Sequence, residues 1–414
     1  MASETENKMD VLHVCPSRSF SGLEQYAFEL ATYQKKKGHE VGFVVCPGSP
    51  LESECHRVGI QTIDFLYDSW RGRWFFWRRV TRILGKEKHL KAVHLHMTDE
   101  VASISVPIFW RKLRKMWNHH PKIIFQAHIW MQRRKKDFYH RMLYSNIDEV
   151  WCSSRPAKSA LSKALPSNVE VIRIFNYGRD VKRLKEEILD REDSRKFLQI
   201  KNNKKVLGTV SRIEEAKGIR ELIEAATPLM ESDSNLELVI IGGPSPNNPD
   251  AQDYFEKLQS EVKRLAGNVR DRVHLKGMIP ESHRFLKAFD LYILPSYLET
   301  FSLSLLDAQL AGLPVVGSKS GGTPEVVKSG ETGWLFEPES VTSLKNALEL
   351  ALSKEKDWKD YGKQAQARVE KEFDQKDIFE NIWKAYTDKV KSEKPAEEVI
   401  KVKTKKKRRM RVAK

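Results

Sequence analysis

Pro295-Ser-Tyr-Leu-Glu299-Thr-Phe-Ser-Leu-Ser-Leu-Leu-Asp307-Ala-Gln-Leu-Ala-Gly312-Leu-Pro314-Val-Val-Gly317 is a strand end, a loop, a helix and a second strand in one passage. The apolar run Leu291 to Leu294 leads into Pro-Ser, a short apolar stretch of the kind that forms a buried parallel strand. A polar loop follows, then an apolar helix, and Gly-Leu-Pro ends that helix ahead of a second buried strand at Val315-Val316. Glu299 and Asp307 stand eight residues apart, the first in the loop and the second a little over a turn into the helix. A helix start offers unpaired backbone N–H groups and the positive end of a dipole. Carboxylates beside such an anion site suit a ligand with both hydroxyls and phosphates, as in a nucleotide sugar.

The same alternation continues outward in both directions. Strands are predicted at Val11 to Val14, Val41 to Val45, Ala92 to Leu95, Lys122 to Ala127, Glu149 to Cys152 and Val169 to Phe175. A second series runs Val206 to Val210, Leu236 to Ile241, Arg272 to Leu275, Leu291 to Leu294 and Pro314 to Val316. Helical patterns separate them and no hairpin dipeptide joins them, which predicts α/β domains with parallel sheets. A length of 414 residues exceeds one core and suits two. The divisions expected are 1–180 and 181–374, a helix 375–392 returning to the first domain, and a basic, disordered tail 393–414. Two such domains facing each other place a cleft at their strand C-termini.

Val210-Ser-Arg212-Ile-Glu-Glu-Ala-Lys217-Gly218 follows the first strand of the second series and opens a helix. Two cations five residues apart at a strand-to-helix loop can clamp a diphosphate and stabilise the charge that develops as it leaves. In the first domain, Pro16-Ser-Arg-Ser-Phe-Ser21-Gly22-Leu-Glu24 is a small-residue loop able to cradle an anion, though such loops also serve turn geometry alone. His128 ends the strand Ile123-Ile-Phe-Gln-Ala-His and points toward the cleft. His94 and His96 end another strand and are taken as packing or acceptor-side residues.

These strings resemble the motifs of glycosyltransferase family 4, retaining enzymes of the GT-B fold with two Rossmann-like domains. Pro-Ser-x-x-Glu, seven residues, a carboxylate and Ala-Gly-Leu-Pro-Val-Val carry the resemblance, with Asp307 where the family usually has Glu. Ser211-Arg212-Ile-x-x-x-Lys217-Gly resembles the family's Gly-Arg-Leu-x-x-x-Lys-Gly. Gly22-Leu-Glu24 is similar to Gly-Gly-x-Glu, and Asn176-Tyr-Gly-Arg-Asp180 to a segment that closes the first domain. The resemblance implies transfer of a hexose from a nucleotide diphosphate sugar, UDP favoured, to an acceptor hydroxyl. Arg212 and Lys217 then bind the pyrophosphate, and Glu299 a sugar hydroxyl. The amides around Phe301, Ser302 and Leu303 meet the phosphates, and Asp307 holds the ribose. Gly22 and His128 face the transferring sugar, so the catalytic set is His128, Arg212, Lys217 and Glu299. No Asp-x-Asp occurs in the chain. Glycosyltransferases of the other main fold use that motif to hold a divalent metal, so no metal or other cofactor is expected.

The basic charge is uneven. Residues 70–141 hold 18 Lys or Arg against four acids, and 401–414 hold nine and none, against a whole-chain +16. The remainder is therefore net acidic, and an anionic partner surface is implied. In 70–84, Trp70, Trp74 and Trp77 share one side of a helical wheel and Arg71, Arg78 and Arg82 another. Trp130-Met-Gln-Arg-Arg-Lys-Lys136 has the same flavour. Such segments suit an anionic bilayer, which suggests a membrane glycolipid acceptor such as a lipopolysaccharide core. The bland alternative is core tryptophans with a solvated basic face. Nucleic-acid binding and a catalytically silent nucleotide-sugar-binding protein are the remaining readings. The four cysteines show no paired or metal-like spacing. No leader or membrane-spanning run is apparent, so a cytoplasmic protein held peripherally at the inner face of the membrane is expected.

Overall fold

A computed structural model describes residues 9–65, 82, 89–98, 100–113, 121–131, 133–245 and 248–388. Seven strands form the first sheet: β1 (Val11–Val14), β2 (Val41–Val45), β3 (Gln61–Asp64), β4 (Ala92–Leu95), β5 (Lys122–Ala127), β6 (Glu149–Cys152) and β7 (Ile172–Ile174). Six form the second: β8 (Lys205–Val210), β9 (Leu236–Ile241), β10 (Val273–Leu275), β11 (Leu291–Leu294), β12 (Val315–Ser318) and β13 (Gly333–Phe336). Their orders are β3-β2-β1-β4-β5-β6-β7 and β10-β9-β8-β11-β12-β13. The pairings in both sheets are parallel. This is the GT-B architecture of two Rossmann-like α/β domains.

Strand order reverses between β1 and β4 in the first sheet and between β8 and β11 in the second. Ligands of open parallel sheets bind outside the strand ends at such reversals. The loops that follow β1, β5, β8 and β11 carry Gly22, His128, Arg212 and Glu299. The central strands are apolar on both faces, so nearly every side chain is buried. Two strands escaped the sequence reading. In β3 only Ile63 is buried, so no apolar run marks it. In β13 the segment is four residues that begin with Gly333. Val169 to Phe175 narrows to the three residues of β7.

The chain crosses between domains twice, and the crossings are bonded to one another. Arg179 N donates to Phe373 O at 2.9 Å, and Gln375 N donates to Arg179 O at 3.0 Å. The helix Gln375–Thr387 then lies on the first domain. Its Tyr386 stacks on Trp151 with centroids 5.5 Å apart, and its Glu380 accepts from Tyr33 Oη at 2.8 Å. An aromatic column ties the two halves. Tyr26 meets Tyr177 at 4.6 Å, Tyr177 meets Phe301 at 5.8 Å, and Phe301 meets Phe373 at 5.7 Å. Rings packed this way add about 0.5–1.5 kcal/mol per pair beyond the area they bury.

Candidate active site

A cavity of about 950 Å³ lies between the strand ends of the two sheets. Gly22, His128 and Tyr177 line the first-domain wall, and Arg212, Lys217 and Glu299 the second.

Lys217 is set by the geometry of its loop. The turn Glu215–Lys217 ends at Gly218, whose φ is +65°. A Cβ there would lie 2.2 Å from Pro295 O, so only glycine lets this loop seat against the end of β11. Lys217 Nζ lies 2.6 Å from Glu299 Oε1, with both side chains mostly buried. The Glu299 loop is held from behind by Ser320-Gly-Gly-Thr-Pro-Glu325. Gly322 N donates to Glu299 O at 2.8 Å. The loop is also bonded to the first domain, since Thr300 Oγ1 donates to His128 O at 3.0 Å. Arg155 N donates to Glu325 Oε1 at 2.6 Å across the same junction.

Arg212 is half exposed, with Nη1 at 3.1 Å from both Glu214 Oε1 and Ser245 Oγ. Phe301, Ser302 and Leu303 line the cavity at the start of the helix Leu303–Leu310. Ser302 Oγ accepts from Leu305 N at 3.3 Å. That cap leaves the Leu303 and Ser304 N–H groups without intrahelical acceptors at the cavity wall. The Gly22 loop is ordered by Glu24, whose carboxylate accepts from Ser21 N at 2.8 Å and Ser19 Oγ at 2.9 Å. Burial acts to raise the Glu24 pKa, but hydrogen bonds from Ser17 and Ser21 outweigh it and the net direction is down. A Cβ on Gly22 would meet nothing within 4 Å.

Asp307 was expected to hold the ribose. It does not line the cavity. Its carboxylate takes Arg179 instead, with Nε to Oδ1 at 2.6 Å and Nη2 to Oδ2 at 3.3 Å. Both side chains are buried. A bidentate guanidinium takes one lone pair on each Asp307 oxygen.

His128 is at the cavity, but both its ring nitrogens are committed. Tyr177 Oη lies 2.6 Å from Nδ1, and His96 Nδ1 lies 3.0 Å from Nε2. His96 Nε2 is 2.9 Å from His13 Nδ1, and His13 Nε2 is 2.9 Å from Gln34 Oε1. The Gln34 carbonyl only accepts, so each tautomer follows in turn. His13 carries its hydrogen on Nε2, as do His96 and His128, and the Tyr177 hydroxyl donates to His128. Burial depresses all of these imidazoles, His13 to about 4 and His128 to about 3. His94 and His96 are lowered well below the usual value, also by burial first. The expected contact between the His128 ring and a sugar hydroxyl therefore has no free nitrogen. His94 and His96 do not line the cavity. Donor nitrogens of His13, His94 and His96 lie within 4.8 Å of one another. Those of His13 and His96 are spent within the chain just described, which accounts for the cluster without an ion.

Tyr177 is the residue the sequence reading missed. It stood in a segment read only as closing the first domain, yet it lines the cavity and bonds His128. Trp70, Arg71, Trp74, Trp77 and Arg78 lie outside the described residues, as does the tail 393–414. Arg82 is exposed. Among the described residues no helix is long and apolar enough to cross a membrane. The four cysteines are buried free thiols.

Two family models match this chain. The one described as Glycosyltransferase Family 4 covers residues 20–183, and the one described as Glycosyl transferases group 1 covers 190–368. The D-inositol 3-phosphate glycosyltransferase of Corynebacterium glutamicum (strain R) is 30% identical over 218 residues, 51% of this chain and 50% of that protein. The lipopolysaccharide 1,2-N-acetylglucosaminetransferase of Salmonella typhimurium is 33% identical over 165 residues, 39% of this chain and 43% of that protein. The match thus spans about half the length of these curated relatives. Among solved structures, Anabaena Alr3699/HepE in complex with UDP and glucose superposes with a TM-score of 0.75 at 19% identity, over 91% of this chain and 99% of that one.

Proposed function

The chain belongs to glycosyltransferase family 4, and from that premise we propose that it transfers a hexose, with retention, from a nucleotide diphosphate sugar to a glycan or glycolipid hydroxyl. The observation that carries this reading is the second-domain wall: Arg212, Lys217, Glu299 and the helix start at Leu303 converge on one cavity. Fixed cations and N–H groups that meet a departing diphosphate stabilise its charge without reorganising at the moment of reaction. The Lys217–Glu299 pair suggests an exchange on donor binding. The diphosphate draws Lys217 toward itself, and Glu299 is released to accept from a sugar hydroxyl. Arg212 and Lys217 supply the charge that a metal supplies elsewhere, so the transfer is proposed to need no metal ion.

UDP is the favoured nucleotide, in keeping with the UDP and glucose named for the Anabaena structure. A lipopolysaccharide core is the favoured acceptor, in keeping with the Salmonella relative. Peripheral attachment to the inner membrane face follows from the basic, tryptophan-rich segment 70–84. A thermal-shift panel of UDP-, GDP- and ADP-sugars, with and without EDTA, tests the donor. The expected result is a selective rise for one sugar that EDTA leaves unchanged. No rise with any sugar would remove the reading.

A further inference from the structure

Thr300 is fastened to the first domain at both of its polar groups. Its Oγ1 donates to His128 O at 3.0 Å, and its carbonyl accepts from Ser153 Oγ at 3.4 Å. His128 directly follows β5 and Ser153 directly follows β6, two strands that pair in parallel. The tie therefore reaches from the Glu299 loop to the C-terminal edge of the first sheet. Thr300 also lines the cavity. From behind, a Cβ on Gly322 would lie 2.3 Å from Thr300 O, so glycine is needed for the segment 320–325 to pack against that peptide.

The residues on either side of Thr300 belong to the proposed donor site. Glu299 Oε1 lies 2.6 Å from Lys217 Nζ, and Phe301 leads into the capped start of the helix Leu303–Leu310. Arg212 and Lys217 are on the second domain too, so a nucleotide diphosphate can be gripped without reference to the first sheet. The transferring sugar differs, because Glu299 on one wall must be set against Gly22 and His128 on the other. Thr300 adjoins Glu299 in sequence and bonds directly to the His128 peptide. Being β-branched, it has few χ1 choices, and its hydroxyl is held in one direction. A single neutral hydrogen bond adds little to global stability, whereas a displacement of about 1 Å between reacting groups costs about 100-fold in rate.

We propose that Thr300 is a positioning residue for the transfer step: its hydroxyl sets the Glu299 loop against the first-domain wall, and it acts through Glu299 rather than by touching either substrate. The assignment rests on the transferase reading above and deepens it.

The test uses two variants of the full chain. Thr300→Val keeps the shape and removes the donor, and Thr300→Ser keeps the donor. UDP binding is measured by calorimetry, and turnover as hydrolysis of UDP-glucose to UDP and glucose, with water as the acceptor. Thr300→Val is expected to lower kcat about tenfold or more while UDP affinity and the KM for UDP-glucose change less than about twofold. Thr300→Ser is expected to restore most of the lost rate. Hydrogen exchange of the peptide 297–303 gives a readout independent of turnover, rising in Thr300→Val and returning toward wild type in Thr300→Ser. Wild-type kcat or unchanged exchange in Thr300→Val would overturn the assignment and leave the transferase reading standing. Equal losses in both variants beside a lowered melting temperature would do the same, since they mark a merely structural role. Failure of the wild type to bind any UDP-, GDP- or ADP-sugar would overturn both.

Discussion

Arg179 and Asp307 form a bidentate, buried ion pair across 128 positions of sequence, with Nε–Oδ1 at 2.6 Å. The arginine sits where the chain first leaves the first domain, and the aspartate sits in the helix that opens at the cavity. Removing one partner of a buried pair strands the other, at a cost of about 3–5 kcal/mol. Asp307→Asn and Arg179→Met are expected to lower the unfolding free energy, read from urea denaturation, by about that much in the absence of any ligand. A variant Asp307→Asn of unchanged stability but weakened donor binding would return this carboxylate to the ribose.

Lys217 and Glu299 should behave differently. They are partly open to solvent, and either can be lost without stranding a deeply buried charge. Lys217→Ala is expected to leave the melting temperature near the wild-type value and to lower kcat by about 10²–10³-fold, the usual cost of one charge-stabilising donor. Glu299→Ala should raise donor KM as well. Steady-state kinetics beside thermal unfolding would check both, and a fully active Lys217→Ala enzyme would be incompatible with the proposed clamp.

Gly22 has open space where a side chain would project, and the residue lines the cavity. Gly22→Val is therefore predicted to fold normally and to bind donor at least tenfold more weakly. A valine variant with wild-type KM would show that the loop after β1 stands clear of the donor.

The buried imidazoles make the fold acid-sensitive. Their folded pKa values lie below the usual value near 6.5, so below that pH the unfolded chain binds more protons than the folded one. Stability then rises with pH through this window and is lost as pH falls from about 6.5 toward 4. Each such group contributes a loss of about 1.4 kcal/mol per pH unit. Urea midpoints from pH 7.5 to 5 should fall steeply, and replacing His96 with Gln should flatten the slope. A flat wild-type profile would contradict neutral, buried rings.

The strands of both sheets were legible because fully buried parallel strands are short, continuous apolar runs. That signal failed where burial is one-sided, as at Gln61–Asp64. The cavity positions of Glu299, Arg212 and Lys217 were legible because they are set by local loops whose glycines and prolines stand beside them in sequence. Asp307 was legible as a carboxylate, but its partner Arg179 comes from a distant segment and no local pattern announces it. His128 was placed correctly at a strand end. Its commitment to Tyr177 and His96 is a product of packing between strands and the interdomain segment, which spacing along one strand cannot reveal.

The return of the helix Gln375–Thr387 to the first domain has a consequence for how the chain matures. Tyr386 Oη bonds His94 Nδ1 at 2.8 Å and lies 3.3 Å from Gln34 Nε2, so it closes off the imidazole chain from the far end. A ribosome delivers N-terminal residues first, at about 5–20 residues per second. The first sheet is thus complete in sequence some tens of seconds before the segment that covers one of its faces emerges. During that interval Trp151, His94 and Gln34 lack their final partner. The nascent first domain leaves these groups without Tyr386 until the helix arrives, and truncations near residue 370 should reproduce that state permanently.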